Sequence, residues 1–254
     1  MNPSITYRED QWSKIVAFLR NCPGVYVGRE TACRRFLEGV LWMLRSGAQW
    51  RLLPKAYGNW NSVYKRFARW CDREIWQALH QHFAGDPDME NLILDSTIVR
   101  AHPCAAGARK KTGGQAAQAL GRSRGGFSTK IHVNVDALGN PLRFLLTAGQ
   151  RHDMTQAEAL IAEYEFERLI ADRAYDADDF LNVLADKEAE AVIPPRKNRK
   201  ETRDYDRHLY KERHLVECFI NKIKHYRRIF SRFDKLAQRY LGFLSLAGAL
   251  IWLR

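Results

Sequence analysis

The sequence lacks the features that mark secreted, membrane-spanning and thiolate-zinc proteins. Its five cysteines are odd in number and form no C-x-x-C pair, which argues against a disulfide framework or a thiolate zinc site and favours a reducing compartment. The first twelve residues hold no apolar run, so we expect no secretory signal. The longest apolar stretch, residues 240–253, is shorter than the ~20 residues of a membrane span, and it predicts a buried C-terminal helix.

Acidic residues are also scarce, and they are unevenly placed. The chain has 41 Lys and Arg against 29 Asp and Glu, a net charge of +12, which indicates a polyanionic partner such as nucleic acid. Residues 91–134 carry seven basic groups and one acid, Asp95, residues 135–190 are acidic, and residues 191–254 are basic again. This order favours basic segments gathered on one face, although solvation of scattered surface charges is the alternative. No Walker-type phosphate loop occurs.

Hydrophobic spacing divides the chain into two domains. Residues 7–83 have helical periodicity with Asn59 or Ser62 as a possible N-cap. Two helices joined by a turn and rich in basic residues fit a helix-turn-helix module, and a plain helical bundle fits about equally well. The Gly-Asp-Pro-Asp segment at 85–88 is a breaker. We therefore predict an all-α domain over 1–88 and a second domain over 89–254. We also expect the tryptophans of the first domain to be core residues: Trp12, Trp42, Trp50, Trp60, Trp70 and Trp76.

The predicted second domain has a different pattern of apolar residues. Its periodicity predicts a strand over 91–99, a hairpin from strands 130–135 and 142–147, a helix over 154–164, a short strand over 168–171, a helix over 178–187, a strand over 191–194 and a long helix over 207–232. This order is typical of the α/β, ribonuclease H-like mixed sheet with helices on both faces. Residues 103–128, rich in Gly, Ala and basic groups, predict a long loop.

Three carboxylates carry the predicted chemistry. Asp95 lies inside an apolar strand and Asp172 ends another, and in ribonuclease H-like sheets the first and fourth strands are neighbours. A charge in such a place is costly unless a cation or a strong partner accompanies it. Mg²⁺ binds a few carboxylate oxygens and keeps room for water and phosphate. Glu217, on the last long helix, is the third candidate acid; a cap, a turn or a surface charge is the plain alternative for each.

One face of that last helix is unusual. Tyr210, Arg213, Glu217 and Lys224 fall within about 60° of arc, opposite an apolar stripe, if the segment is helical. A single acid between cations suits a metal-binding carboxylate flanked by phosphate contacts. A salt-bridged surface helix is the alternative.

Several strings together resemble the bacterial insertion-sequence transposases. The resemblance rests on the Y-(2)-R-(3)-E-(6)-K string from Tyr210 to Lys224, on residues 95–102 (DSTIVRAH) and 171–176 (ADRAYD), which are similar to the first- and second-aspartate regions, and on residues 47–54 (GAQWRLLP) with the aromatic residues after them. The last feature resembles the helical domain of the family four/five group. The chain is thus identified as a member of the DDE transposases of Y-R-E-K type.

The resemblance implies a DNA transposase that binds terminal inverted repeats, cuts and transfers DNA strands, and works in the bacterial cytoplasm, associated with the nucleoid. Asp95, Asp172 and Glu217 would hold two Mg²⁺ or Mn²⁺ ions, one activating water or a 3′-OH and the other stabilising the leaving oxygen. Since two DNA ends must meet, we expect a dimer or a higher oligomer on duplex DNA. The alternatives are a silent DNA-binding protein derived from a transposase and a metal-dependent nuclease that does not transpose.

The sequence also predicts roles for two further groups of side chains. His102 and Asp153 follow strands, and we expect His102 to be structural and Asp153 to N-cap the next helix rather than to assist the site. The predicted DNA contacts are Tyr210, Arg213, Lys224, Lys222, Arg227, Arg228, Lys110, Lys111, Arg122, Arg124, Lys65, Arg66 and Arg69.

Overall fold

A computed structural model of the chain describes residues 6–109, 112–114, 116–123, 125–199 and 202–254. Its N-terminal part is helical, as predicted. The helices are α1 (Glu9–Asn21), α2 (Glu30–Ser46), α3 (Trp60–Asp72) and α4 (Ile75–Phe83). Asn59 is the N-cap of α3, since its side chain accepts from the backbone N–H groups of Asn61 and Ser62. The left-handed Gly47 ends α2.

A mixed sheet forms the rest of the fold. The strands are β1 (Asn91–Ala101), β2 (Gly121–Ser123), β3 (Gly126–Val135), β4 (Pro141–Ala148), β5 (Arg168–Ile170), β6 (Glu190–Val192) and β7 (Ser231–Arg232). The helices are α5 (Ala157–Ile161), α6 (Asp178–Asp186), α7 (His214–Lys224), α8 (Arg227–Phe230) and α9 (Ala237–Trp252). The sheet order is β2-β3-β1-β5-β6, with β4 also on β3 and β7 on β1. Strands β4-β3-β1 are antiparallel and β1-β5-β6 parallel, which confirms the ribonuclease H-like class.

The register of β1 and β5 brings two predicted acids to the same edge of the sheet. Ile93 pairs in parallel with Ile170. Asp95 and Asp172 each lie two residues beyond this pair along the chain. Because adjacent parallel strands run in step, both carboxylates lie just past the end of the paired segment.

One apolar core joins the N-terminal helices to the sheet. It includes residues of α2, α3, α4, α7 and α9 together with the inner faces of β1 and β3. The predicted C-terminal helix is α9, and its middle is buried. A Cβ at Gly242 would come within 2.7 Å of Cys71 Sγ, so glycine at this position allows α9 to pack closely on α3. In the described part of the chain no helix is both long and apolar enough to cross a membrane.

The predicted helix over 207–232 is wrong, because the chain there is divided. A 3-10 turn (Leu209–Arg213) leads into α7, α8 follows after a break, and β7 then pairs with the end of β1. Arg228 and Arg232 are buried. A continuous helix could not both bury these two guanidinium groups and pair Arg232 with Ala101. Helical periodicity from apolar residues alone did not reveal this break.

The loop predicted over 103–128 is shorter than expected. Strand β3 already begins at Gly126, pairs with β2, and extends β1 pairing to Arg100 and Ser128. The glycines and serines of this segment carry no apolar alternation, which is why the strand was missed. Of the six tryptophans predicted to be core residues, Trp12, Trp70 and Trp76 are buried, and the other three pack against the core while partly exposed.

Candidate active site

Asp95 is held in place by its own strand and by the residue after it. Its side chain is only 19% exposed. The backbone N–H of Ser96 donates to Asp95 Oδ1 at 2.7 Å. Asp172 begins a 3-10 turn, and its carboxylate accepts from the backbone N–H of Ala174 at 2.8 Å. Each acid therefore keeps a fixed direction without using all of its lone pairs.

Arg213 links Asp95 to Glu217. Its Nη1 donates to Asp95 Oδ2 at 2.9 Å, and its Nη2 donates to Glu217 Oε1. Glu217 lies in the first turn of α7, four residues beyond Arg213, and its side chain is 49% exposed. The turn of chain that ends at Arg213 thus brings one guanidinium between a sheet carboxylate and a helix carboxylate.

The charge of the third acid, Asp172, also acts on Asp95. Burial raises the pKa of Asp95 above its ordinary value, and the charges of Asp172 and Glu217 raise it further, while the Ser96 N–H and Arg213 oppose this rise. Burial also raises the pKa of Tyr175, with smaller contributions from Asp153, Asp95 and Asp172. The structure therefore brings the three predicted acids into one electrostatic neighbourhood.

The acids do not form a closed metal-binding cluster in this state. Within the described ranges, no three His, Cys, Asp or Glu side chains lie where they could hold one metal ion together. The guanidinium of Arg213 stands between two of the acids and balances their charge. Three carboxylates without a cation repel one another, which gives a physical reason for this arrangement.

The structure contradicts the prediction that Asp153 is an N-cap. His152, not Asp153, is the N-cap of the short 3-10 turn there, and no side chain caps it. Asp153 Oδ1 instead accepts from Ser96 Oγ at 2.5 Å and from Lys130 Nζ at 2.9 Å. Lys130 is only 8% exposed. Lys130, His132 and Asn134 alternate with the apolar Ile131, Val133 and Val135 along a buried strand, and this alternation was the available sequence signal for a buried ionic partner of Lys130.

A buried histidine lies beside this pair. His132 Nδ1 is 3.9 Å from Asp153 Oδ1, and its Nε2 is 2.8 Å from Thr147 Oγ1. Burial lowers the pKa of His132 to about 4, although Asp153 opposes the shift. His132 is therefore neutral at physiological pH. His102 is exposed, and its Nδ1 accepts from the Cys104 backbone N–H, which agrees with a structural role.

The predicted DNA contacts occupy different environments. Lys222, Arg227, Arg122, Lys65 and Arg69 are exposed, whereas Lys224, Tyr210 and Arg66 are half-buried. Tyr210 packs edge-on against Tyr205, with ring centroids 5.5 Å apart. Lys110, Lys111 and Arg124 lie outside the described residues.

The prediction that Arg228 contacts DNA requires a correction, because this side chain is buried. It is 4% exposed and donates two hydrogen bonds, of 2.8 and 3.1 Å, to the carboxylate of Asp234. It also donates to the Ala48 carbonyl at 2.8 Å and lies over the rings of Trp50 and Phe243. A guanidinium with its donors used in this way holds the N-terminal helices to the C-terminal part of the chain and does not face solvent.

All five cysteines are free thiols in the structure.

Family models match nearly the whole chain. Residues 86–252 match the model described as "Transposase DDE domain". Residues 8–80 match the model described as "Putative transposase of IS4/5 family". The first of these spans more than half of the chain and contains all three predicted acids.

Individual relatives agree with the family models. A "Putative transposase for insertion sequence element IS6501" of Brucella ovis is 44% identical over 130 residues, which is 50% of this chain and 100% of the relative. A "Putative transposase for insertion sequence element IS402" of Burkholderia cepacia is 32% identical over 135 residues, 48% of this chain and 62% of the relative.

A solved structure gives the fold alone. The piggyBac transposase in a synaptic complex with hairpin DNA is similar with a TM-score of 0.51 at 11% identity, and the likeness covers 97% of this chain and 65% of the piggyBac chain. Together with the family model over residues 86–252, the order of the acids and the sheet that carries them lead to one assignment. The chain belongs to the family of transposases with a DDE domain.

Proposed function

We propose that this protein cuts DNA at the ends of an insertion sequence and joins the freed 3′ ends to target DNA, with Asp95, Asp172 and Glu217 as the catalytic acids. The observation that carries the proposal is the bridge from Arg213 to Asp95 and Glu217. It puts the helix acid next to the sheet acid although 122 residues of chain separate them. Asp172 reaches the same edge through the pairing of β5 with β1.

The donor set fits divalent metal ions. The three candidate ligands are carboxylates, the oxygen donors that Mg²⁺ and Mn²⁺ prefer. One cationic group, the Arg213 guanidinium, already balances two of them, so the place accommodates positive charge. Asp95, Asp172 and Glu217 would hold two such ions, and these would supply charge stabilisation at the phosphodiester and a more acidic attacking hydroxyl or water.

The chain's own side chains complete the site. The Ser96 N–H orients Asp95, and Asp153 holds Ser96 from the other side. Once the acids have another cation, Arg213 is free to turn its forked donors to a DNA phosphate. Lys224 and Tyr210 follow and precede Glu217 on the same segment and would contact the same strand. Terminal inverted repeats and target DNA are thus the proposed partners, and the bacterial cytoplasm, at the nucleoid, is the proposed compartment.

Two active sites must act on two ends of one element, so we propose a homodimer or higher assembly on DNA. A silent DNA-binding protein and a nuclease that does not transpose remain the competing functions. Their products differ: the first leaves DNA intact, the second leaves nicks, and a transposase also joins strands.

The test uses a labelled duplex that carries the terminal repeat flanking the coding sequence, an unlabelled target plasmid, and Mg²⁺. We expect nicks at the repeat end and labelled strand-transfer products with the wild-type chain. Asp95→Asn, Asp172→Asn and Glu217→Gln should each remove both products. Glu212→Gln makes the same charge change on the segment before α7 and should retain them. Cleavage that survives in the three acid variants would overturn the assignment.

A further inference from the structure

A positively charged cavity lies among the N-terminal helices, and none of the three candidate acids lines it. The segment between α1 and α2 folds back over the C-terminal half of α3 and leaves a cavity of about 570 Å³. Four arginines line it: Arg29, Arg66, Arg69 and Arg73. Among the described residues, no Asp or Glu lines the cavity. Four cations gathered around one opening without an acid favour an anionic ligand.

Two of the four arginines build the cavity. Arg73 Nη1 donates to the Gly24 carbonyl at 2.7 Å, and Arg66 Nη2 donates to the Tyr26 carbonyl at 3.3 Å. The Arg66 guanidinium also lies 4.4 Å from the ring centroid of Phe36 and 5.2 Å from that of Trp70. These contacts fix the segment to α3, so the opening is a formed feature of the fold.

The other two arginines are available to a ligand. Arg29 and Arg69 are exposed, and in the described part of the chain their guanidinium groups have no hydrogen-bond or ion-pair partner. Tyr26, at the rim, is 87% exposed. Its ring rests against Gly28, where a Cβ would come within 3.1 Å of the ring. An exposed phenol and two unpaired guanidinium groups that line the same cavity offer donors suited to neighbouring phosphate oxygens.

We infer that this cavity binds the sugar-phosphate backbone of duplex DNA, with Arg29 and Arg69 as the phosphate contacts and Tyr26 beside them. This inference rests on the proposed function and identifies where the N-terminal domain contacts its DNA. No Asn, Gln, Asp or Glu among the described residues lines the opening, and these side chains are the usual readers of adenine and cytosine edges. Arginine also reads guanine edges, so binding to an unrelated duplex decides whether the cavity positions DNA without selecting its sequence.

The inference also reassigns two of the sequence predictions. Arg66 is a wall of the cavity, because its Nη2 donates to the Tyr26 carbonyl and its flat face lies over the Phe36 ring. Lys65 is exposed on α3 but does not line the cavity. Arg29, Arg73 and Tyr26 were not among the predicted DNA contacts, since residues from three segments form the site and no single stretch of sequence shows it.

The experiment measures the affinity of the full chain for two fluorescent duplexes, one with the terminal repeat and one unrelated, from 50 to 300 mM KCl. Loss of one phosphate contact lowers the steepness of log K against log salt by about 0.9. The double variant Arg29→Ala/Arg69→Ala should therefore lose about 1.8 from the slope, and its affinity should fall roughly tenfold or more near 150 mM salt. Both duplexes should be affected alike.

Matched variants separate the cavity from net charge. Lys14→Ala/Arg35→Ala removes two exposed cations that do not line the cavity and should leave the slope near that of the wild type. Arg29→Lys/Arg69→Lys keeps the charge and should keep most of the slope. Thermal unfolding should be unchanged in all three, since none of these side chains is buried.

An unchanged slope in Arg29→Ala/Arg69→Ala, or an equal loss in the control pair, would overturn the inference. So would a loss confined to the terminal-repeat duplex, or a loss seen with an RNA hairpin and absent with both DNA duplexes. These outcomes are independent of the proposed function, which stands or falls with the products of the acid variants.

Discussion

Arg213 Nη1 lies 2.9 Å from Oδ2 of Asp95 and donates a hydrogen bond to it, while the same guanidinium reaches Glu217 on the helix that follows. The side chain that the sequence assigned to a DNA phosphate thus binds the candidate catalytic carboxylates. A cation between two acids offsets their mutual repulsion, as a bound metal ion also would. We therefore expect Arg213 and divalent metal ions to compete for Asp95 and Glu217 in the absence of DNA.

The competition predicts how Arg213→Gln responds to metal. In chelator the variant should unfold at a lower temperature than the wild type, because two acids face each other without their cation. Mn²⁺ or Mg²⁺ should then raise its unfolding temperature by more than it raises that of the wild type, since ligands that bind only the folded state stabilise it. Arg207→Gln, an exposed change outside the site, is the control. Equal metal responses in Arg213→Gln and wild type would contradict the competition.

The Lys130–Asp153 pair predicts a strong coupling in stability. Lys130 and Asp153 side chains are 10% and 23% exposed, so Asp153→Leu leaves a buried charge alone and should lower the free energy of unfolding by about 3–5 kcal/mol. Lys130→Met/Asp153→Leu removes both charges and should recover much of that loss. Urea unfolding of the two single variants and the double variant gives the coupling energy. Additive losses in the double variant would show that the pair makes no mutual contribution.

Substitution of either of the two adjacent arginines of α8 should have opposite effects: one should lower stability and the other should weaken DNA binding. Arg228→Ala leaves Asp234 buried without its partner and should lower the free energy of unfolding by about 3–5 kcal/mol. Its DNA affinity per folded molecule should stay near that of the wild type. Arg227→Ala removes an exposed cation and should weaken DNA binding with stability within about 0.5 kcal/mol of wild type. Denaturation and binding curves on both variants check this, and a stable Arg228→Ala with weak DNA binding would refute the buried assignment.

His80 predicts an acid-sensitive stability. It is 3% exposed, its Nε2 lies 2.9 Å from the Pro141 carbonyl, and burial lowers its pKa from 6.5 to about 4. The unfolded chain therefore binds a proton between pH 6.5 and 4 that the folded chain does not bind. Stability attributable to His80 is complete above pH 6.5 and is lost as the pH falls, by about 2 kcal/mol between pH 7 and pH 5.

His80→Gln keeps an N–H donor for Pro141 and removes the titration. The unfolding free energy of this variant should fall less steeply from pH 7 to pH 5 than that of the wild type. His132, whose pKa is also lowered to about 4, still contributes in the variant, so the slope is reduced and not abolished. Identical pH dependence in the two proteins would contradict the burial-driven shift at His80.

The local spacing of apolar residues was sufficient to predict the strands and helices that position the site. Alternation and apolar runs located β1, the β3–β4 hairpin, β5, α6 and β6 within a few residues, because each has one face or two in the core. The parallel pairing of β1 and β5 followed from the order of these elements. The catalytic role of Asp95, Asp172 and Glu217 remains a prediction; the structure adds that their charges interact and that Arg213 bridges Asp95 and Glu217.

What the sequence did not reveal depends on contacts between distant residues. Nothing near Arg228 distinguishes it from the exposed Arg227; its burial depends on Asp234, Ala48 and the rings around it. Likewise Asp153 follows a strand where an N-cap is common, and only its approach to Lys130 and Ser96 shows that it points inward. The Arg213 bridge depends on the packing of the segment around α7 beside β1, which the spacing of apolar residues does not reveal.

The central claim is that Asp95, Asp172 and Glu217 share bound metal ions, and iron-directed cleavage of the chain tests it most directly. Fe²⁺ with ascorbate and peroxide generates radicals that cut the backbone near the bound ion. With terminal-repeat DNA present we expect three cuts, close to residues 95, 172 and 217, which excess Mg²⁺ suppresses together and which Glu217→Gln weakens at all three places. Cuts that cluster elsewhere, or that persist unchanged in Mg²⁺ and in the variant, would contradict the claim.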